Sequence, residues 1–398
     1  MRASVIIVSH GRPRALARCL MALEQLNTPE FEVVVVADRA GLEAAGREGR
    51  IKRVAFEEAN ISAARNLGIM AAAGEALAFI DDDAVPCPDW LDRLVEGLGR
   101  APAATGYVIG RNGFSFQHRA RRIRADATHG RLEVPEGGAV IAPEAGAPVK
   151  TEGTNMAFRR AALVEAGGFD PAYRFYLDEG DLNLRMMAPT AVIPKAIVHH
   201  GFMASARRRD DRVPLDLTEV GASLAVFLRR HGADAATMAR RIYDQLAEEQ
   251  SRVFRHLRAR RISRRTAREI VRSFADGVEA GKARPLPPLV PLTGAPPPFL
   301  PFRPQAQGAP QCFAGRPWDA PRLRRAAAAA VAAGARAELY LFSPTALFHR
   351  RRFTNDGIWE QRGGLFGRSD RAMPLLQFRR FSGRLAEERG SSPLRQCK

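Results

Sequence analysis

Three aspartates in a row, Asp81-Asp82-Asp83, follow the apolar stretch Ala76 to Ile80. Like charges raise one another's proton affinity and each carboxylate resists desolvation, so such a run at the end of a buried strand calls for a cation. Alternate residues of an extended chain point the same way, which aims Asp81 and Asp83 to one side. That pair suits a hard divalent ion held by one or two carboxylates and completed by phosphate oxygens. A solvated acidic turn leading into a helix cap at Pro88-Asp89-Trp90 accounts for the same residues, and the run alone leaves both readings open. A second acidic group, Asp178-Glu179-Gly180-Asp181, opens a helical pattern. There Asp181 and Arg185 stand four apart, the spacing of a surface ion pair worth roughly 0.2–0.5 kcal/mol.

The hydrophobic pattern shows the elements that must carry these residues. Residues 3–9 are apolar and β-branched, as a strand buried on both faces should be. A turn at Gly11 and Pro13 leads into a helical pattern through Ala15, Leu16, Cys19, Leu20 and Leu23. Phe31 to Val36 and Ile51 to Phe56 are two more strands, the first ending in Ala37-Asp38 and the second followed by a helix from Asn60 to Ala73; Ala76 to Ile80 is the fourth. Strands separated by helices imply a parallel, doubly wound α/β sheet, whose ligands gather at the carboxyl ends of the strands. Residues 111–149, rich in Gly, Pro and Arg, are an irregular excursion of the kind that forms binding loops. A helix is expected from Phe158 to Ala166, a turn at Gly167-Gly168-Phe169-Asp170-Pro171, and a helix from Asp178 to Met187.

Charge divides the chain of 398 residues: residues 1–205 carry 24 basic and 25 acidic side chains, and the remainder 37 and 18. The net +19 of the second half fits attraction to anionic lipid or another polyanion. Five lysines among 61 basic residues, with abundant Ala, equally fit a GC-rich genome. Cys19, Cys87, Cys312 and Cys397 are widely spaced with no CxxC pair, which favours a reducing compartment over a disulfide framework or zinc site. Nothing approaches the ~18 apolar residues of a membrane span. The expected organisation is a catalytic domain over 1–205 and an Arg-rich helical segment over 206–284, then a Pro-rich linker over 285–321 and a small basic region over 322–398. The linker assignment rests on 12 prolines between Pro285 and Pro321, and the basic region has an Ala-rich helix at Arg325 to Ala335 and a strand at Glu338 to Phe342.

Taken in order, Val5-Ile6-Ile7-Val8-Ser9-His10-Gly11-Arg12-Pro13, Glu32 to Asp38, Ala64-Arg65-Asn66-Leu67-Gly68, Ala78 to Asp83, Gly153-Thr154-Asn155-Met156-Ala157-Phe158-Arg159-Arg160, Gly167 to Asp170 and Asp178 to Arg185 resemble the family 2 glycosyltransferases over about residues 1–205. The resemblance implies a GT-A fold with a doubly wound mixed sheet, a nucleotide-sugar donor, a divalent metal (Mn²⁺ or Mg²⁺) and inversion at the anomeric carbon. It places Ser9, Asp38, Arg65, Asp81, Asp82 and Asp83 at the donor, and Asp81, Asp83 and His199 at the metal, with His200 as competitor. It makes Glu179 the general base with Asp178 its rival, and puts Thr154, Asn155 and Asp181 at the acceptor. The usual Asp-Asp-Gly-Ser after the second strand is Ala37-Asp38-Arg39-Ala40 here, which leaves the nucleobase open. The implied role is cytoplasmic synthesis of a bacterial surface polysaccharide on a glycan or lipid-linked acceptor, with peripheral contact to an anionic membrane and no nucleic acid. A nucleotidyltransferase would place its nucleotide at a similar sheet edge, but the N-terminus has no Gly-rich, Lys-containing phosphate loop. A degenerate domain in a polyanion-binding protein would not need to keep Asp81, Asp83, Asp178 and Glu179 together.

Overall fold

A computed structural model of the chain describes residues 1–201, 203–306 and 308–395, so Cys397 lies outside the described residues. The first half alternates β1 (Ala3–Ser9), α1 (Pro13–Leu23), β2 (Glu32–Ala37), α2 (Arg39–Ala45), β3 (Lys52–Ala55), α3 (Ile61–Ala71) and β4 (Ala76–Asp81). Next come β5 (Ala84–Pro86), α4 (Trp90–Arg100), β6 (Ala103–Ile109), β7 (Phe116–His118), β8 (Arg121–Ile123), β9 (His129–Arg131) and β10 (Ala139–Ile141). The domain closes with β11 (Met156–Arg159), α5 (Arg160–Glu165), α6 (Asp178–Met186) and β12 (Thr190–His200).

The main sheet has the order β10-β12-β6-β11-β4-β1-β2-β3, with β5 added to β12 and β7 to β6. It is mixed: β1 pairs parallel with β2 and β4, whereas β11 runs antiparallel between β4 and β6. Along β1 the side chains divide between two cores, as the two-residue period of a strand requires. Val5 and Ile7 pack with Leu16 and Leu20 of α1 and Leu94 of α4, while Ile6 packs with Ala64 and Ile69 of α3 and with Phe79 and Phe158. The helix expected from Phe158 starts later: Met156 to Arg159 is a strand, because its backbone pairs with β4 on one side and β6 on the other, and α5 follows without a break. Short strands β7 to β10 punctuate the Gly- and Pro-rich excursion.

Beyond β12, α7 (Thr218–Arg230), α8 (Ala235–Arg258) and α9 (Arg264–Ala283) enclose a core of their own that includes Tyr173 and Leu177 of the first domain. Helices α7 and α9 touch backbone to backbone. A Cβ on Gly277 would stand 2.0 Å from the Thr218 carbonyl oxygen, and one on Gly221 2.2 Å from that of Phe274. The Pro-rich stretch then straps across the base of the sheet, opposite the carboxyl ends. With few N–H groups it joins no ladder at first, and several of those it has dock it: Leu292 N on Val164 O, Leu300 N on Glu32 Oε1 and Phe302 N on Phe31 O. Where the prolines thin out, β13 (Gln311–Gly315) begins a second sheet, followed by α10 (Ala320–Ala332), β14 (Ala337–Ser343), β15 (Arg350–Phe353), β16 (Ile358–Gly364) and α11 (Phe381–Gly390). Its strand order is β13-β14-β16-β15. This unit docks beside β5 and β12 through Trp359, whose ring lies 4.8 Å from that of His199, and through Gln25 Nε2, which donates to Gly357 O at 2.7 Å.

Candidate active site

The three aspartates diverge. Asp81, the last residue of β4, is partly exposed and faces Arg65, whose Nη2 lies 3.5 Å from its Oδ1. Asp82 turns inward, where Ser9 Oγ donates to its Oδ2 at 2.7 Å and Arg12 Nη2 lies 2.7 Å from its Oδ1. Asp83 has His200 Nε2 at 3.1 Å, Arg12 Nη1 at 3.2 Å and the Met203 N–H at 2.9 Å. Burial pushes the Asp82 carboxyl up to about 7 against the pull of Arg12. Burial acts on Asp83 in the same direction, but its hydrogen bond to His200 and the charges of His200 and Arg12 win and hold it well below the usual carboxylate range. His200 is raised in turn, since the attraction of Asp83 outweighs its desolvation.

Ligand atoms of Asp81, Asp83 and His200 lie within 4.8 Å of one another. Two hard oxygens and one imidazole nitrogen suit a small divalent cation. His200 thus stands where His199 was expected. The two are neighbours in β12 and face opposite ways; the His199 ring is packed against Trp359, and burial lowers its pKa to about 3.

The opposite wall of the cleft is the N-terminus of α6. Tyr176 and Leu177 both have left-handed backbone (φ 72° and 66°), a costly pair for non-glycine residues that swings Asp178 and Glu179 into the cleft at the first turn of the helix. Arg65, buried in α3 and resting on the Phe169 ring at 5.1 Å, pairs through Nη1 with Asp178 and through Nη2 donates to Gly153 O at 3.0 Å. It therefore links Asp81 to Asp178. Glu179 takes Lys150 Nζ at 2.6 Å, and Lys150 also lies 3.7 Å from Glu152. Burial raises Asp178 to about 7 against Arg65, whereas on Glu179 Lys150 overcomes burial and holds the carboxyl well below its usual range.

Asp38 caps α2 through Gly41 N and accepts from Gly11 N, so it ties the β1 and β2 loops at the sheet edge. Gly11 has φ +67°, which this turn requires. Asn155 is wholly interior: Trp90 Nε1 donates to it, and its amide donates to the carbonyls of Tyr107 and Ala196. Asp181 is likewise fully buried, between Arg185 Nε, His231 Nε2 and Tyr173 Oη, so α6 does not turn it toward the cleft. Thr154 is buried with its Oγ1 lacking a hydrogen-bond partner among the described residues. Sequence reasoning missed Arg12 and Lys150 as members of the site. Arg12 lies inside the matching N-terminal motif, and Lys150 is one of only five lysines in a chain that otherwise uses arginine.

Residues 4–165 match the sequence model described as Glycosyl transferase family 2. This segment is a family 2 glycosyltransferase domain. Its mixed sheet is of the GT-A type expected from the motifs. A curated relative of the glycosyltransferase domain, the "Putative glycosyltransferase EpsH" of Bacillus subtilis (strain 168), is 25% identical over 140 residues, 33% of this chain. The match spans 40% of that relative's length. Among solved structures, S. aureus TarS 1-349 aligns over 60% of this chain and 68% of its own at 18% identity and a TM-score of 0.40. GalNAc-T7 with UDP, GalNAc and Mn²⁺ aligns over 57% and 48% at 15% identity and a TM-score of 0.42.

Proposed function

We propose that the protein is a metal-dependent, inverting glycosyltransferase that moves a sugar from a nucleotide-diphosphate donor to an acceptor hydroxyl. One observation carries this reading: Asp81, Asp83 and His200 face Asp178 and Glu179 across one cleft, with Arg65 contacting both sides. Asp81, Asp83 and His200 would hold Mn²⁺ or Mg²⁺, which supplies Lewis-acid stabilisation of the departing diphosphate. Arg65 adds preorganised positive charge beside it. Asp38 and the loop at Gly11 shape the nucleoside end of the cleft, and Asp82 fixes Arg12 and the end of β1.

Glu179, held ionised by Lys150, accepts the proton of the attacking hydroxyl, a contribution of about 10² to 10⁴ in rate. With a base and no enzyme nucleophile, the reaction is one displacement with inversion. Asp178 positions Arg65 and modulates Glu179. The test is a panel of nucleotide sugars with Mn²⁺ or Mg²⁺, following nucleoside diphosphate release; no release from any of them, with or without simple glycosides as acceptors, overturns the reading.

The acceptor is a glycan or lipid-linked saccharide for the bacterial cell surface, met at the inner face of the membrane. No described helix is long and apolar enough to cross a bilayer. Contact comes instead from the C-terminal unit, where Leu347, Phe348, Leu375, Leu376 and Phe378 are exposed. Arg368 covers the Phe348 ring at 4.7 Å, and arginines flank both loops at Arg350, Arg352, Arg371, Arg379 and Arg380. Apolar side chains ringed by cations suit the headgroup boundary of an anionic leaflet.

A further inference from the structure

A cavity of about 590 Å³ opens beside the cleft, between β7, the β8–β9 hairpin and the segment at Asp370 and Arg371. Arginine dominates its wall: Arg119, Arg121, Arg131 and Arg371 line it against a single acid, Asp370. Arg121 is neutralised by Glu152 at 2.9 Å, and Arg131 by Glu133 at 2.7 Å. Arg119 and Arg371 make no ion pair with a carboxylate among the described residues. The Arg119 guanidinium lies 4.8 Å over the ring of Phe116, itself an exposed aromatic in the wall. Unneutralised guanidinia in a concave wall, one of them held in place over an aromatic ring, are an arrangement for an anionic group on a small polar ligand.

Residues of the cavity wall are linked to both halves of the active site. On one side the Gln117 amide lies 3.2 Å from His200 Nδ1, and His200 Nε2 is 3.1 Å from Asp83 Oδ1. On the other, Arg121 is joined through Glu152 and Lys150 to Glu179. The nucleoside end of the cleft lies at β1 and β2, whereas the cavity adjoins β6 and β7 on the other side of β4. The two ends are thus separated by the aspartates.

We infer that this cavity binds an anionic group, phosphate or carboxylate, carried by the acceptor sugar next to the hydroxyl-bearing residue. That the occupant is the acceptor rests on the proposed transferase function; that it is anionic does not. The test is calorimetric titration of the full chain with glucose 6-phosphate, glucuronate and glucose. Wild-type protein should bind at least one of the charged sugars about tenfold or more tighter than glucose. The variant Arg119→Gln/Arg371→Gln should lose that preference; both residues are exposed, so the fold does not depend on them.

Preference for the phosphate sugar alone identifies a phosphorylated acceptor, and preference for glucuronate alone an acidic sugar. Equal binding of charged and neutral sugars overturns the inference, as does a preference that survives in the variant. Competition by a nucleoside diphosphate with Mn²⁺ would place the anion at the donor end and overturn it too. Charge-selective binding in a protein that releases no nucleoside diphosphate from any nucleotide sugar retains the anion site and overturns its assignment to an acceptor.

Discussion

Lys150 Nζ lies 2.6 Å from Glu179 Oε1, and against burial this ammonium is the chief group, ahead of Arg65 and Asp178, that keeps the carboxyl ionised. The proposed base is therefore ionised across the working range but is weakened by its partner. Lys150→Met should release the carboxyl to rise under burial, moving the acidic limb of the kcat–pH profile upward. Glu179→Gln should lose about 10² or more in kcat while nucleoside diphosphate still binds. A normal kcat in Glu179→Gln with a dead Asp178→Asn would reverse the two roles.

Asp178, raised to about 7 chiefly by burial, shares a hydrogen bond with Glu179. Below that pH its proton draws electron density from Glu179; above it Asp178 is charged and Glu179 is the stronger base. The wild-type kcat should therefore climb through about pH 7, and Asp178→Asn, a permanent donor, should stay at its low-pH value. Rates measured from pH 5.5 to 8.5 (about three units spanning that pKa) decide it; an unchanged limb in Asp178→Asn refutes the assignment.

His200→Ala should weaken activation by Mn²⁺ on the order of tenfold or more, while His199→Phe, which keeps a ring against Trp359, should leave the metal requirement close to wild type. Metal titration of nucleotide-sugar turnover distinguishes them. Asp83→Ala should remove metal-dependent turnover altogether, and wild-type activity indifferent to EDTA would dismiss the metal site.

Asp181 contributes to stability. Asp181→Asn leaves Arg185 and His231 facing a neutral amide in a buried site, a loss of about 3–5 kcal/mol. Burial alone would raise the Asp181 carboxyl, but its hydrogen bonds to His231 and Arg185 and their charges hold it low. Its stabilisation is therefore complete above the unfolded carboxyl pKa and is lost as pH falls through the lowered folded value. Urea midpoints of wild type and variant should converge in acid; a constant gap across pH would contradict this.

Wild-type protein should sediment with anionic liposomes at low salt and detach near 0.5 M salt, where the Debye length is about 4 Å. Phe348→Ser/Phe378→Ser should weaken sedimentation without altering the salt dependence. Equal binding to neutral and anionic vesicles would reject the electrostatic account.

Strands β1, β2 and β4 were legible because burial on both faces writes a continuous apolar run, and their carboxyl ends located Ser9, Asp38 and Asp81. Strand β11 was not, because Met156 to Arg159 passes into α5 with no punctuating Gly or Pro. The two-residue period says that His199 and His200 point apart but not which faces the aspartates; β5, paired at His200↔Ala84, and Trp359 behind His199 decide it. Lys150 and Arg12 acquire their roles only through partners 29 and about 70 positions away, a distance at which no local pattern operates.

The contact of Trp359 with His199 has a bearing on where this catalyst ends. A fragment cut near residue 205 contains every proposed catalytic group, yet it bares one face of the strand whose next residue closes the metal cluster. The C-terminal sheet acts as a backstop to that strand, so a fragment that binds metal like the full chain should extend beyond the segment its family resemblance outlines. Removing the basic half to test the proposed membrane contact would bare that strand as well, so surface substitutions rather than truncations are the test that separates such contact from turnover.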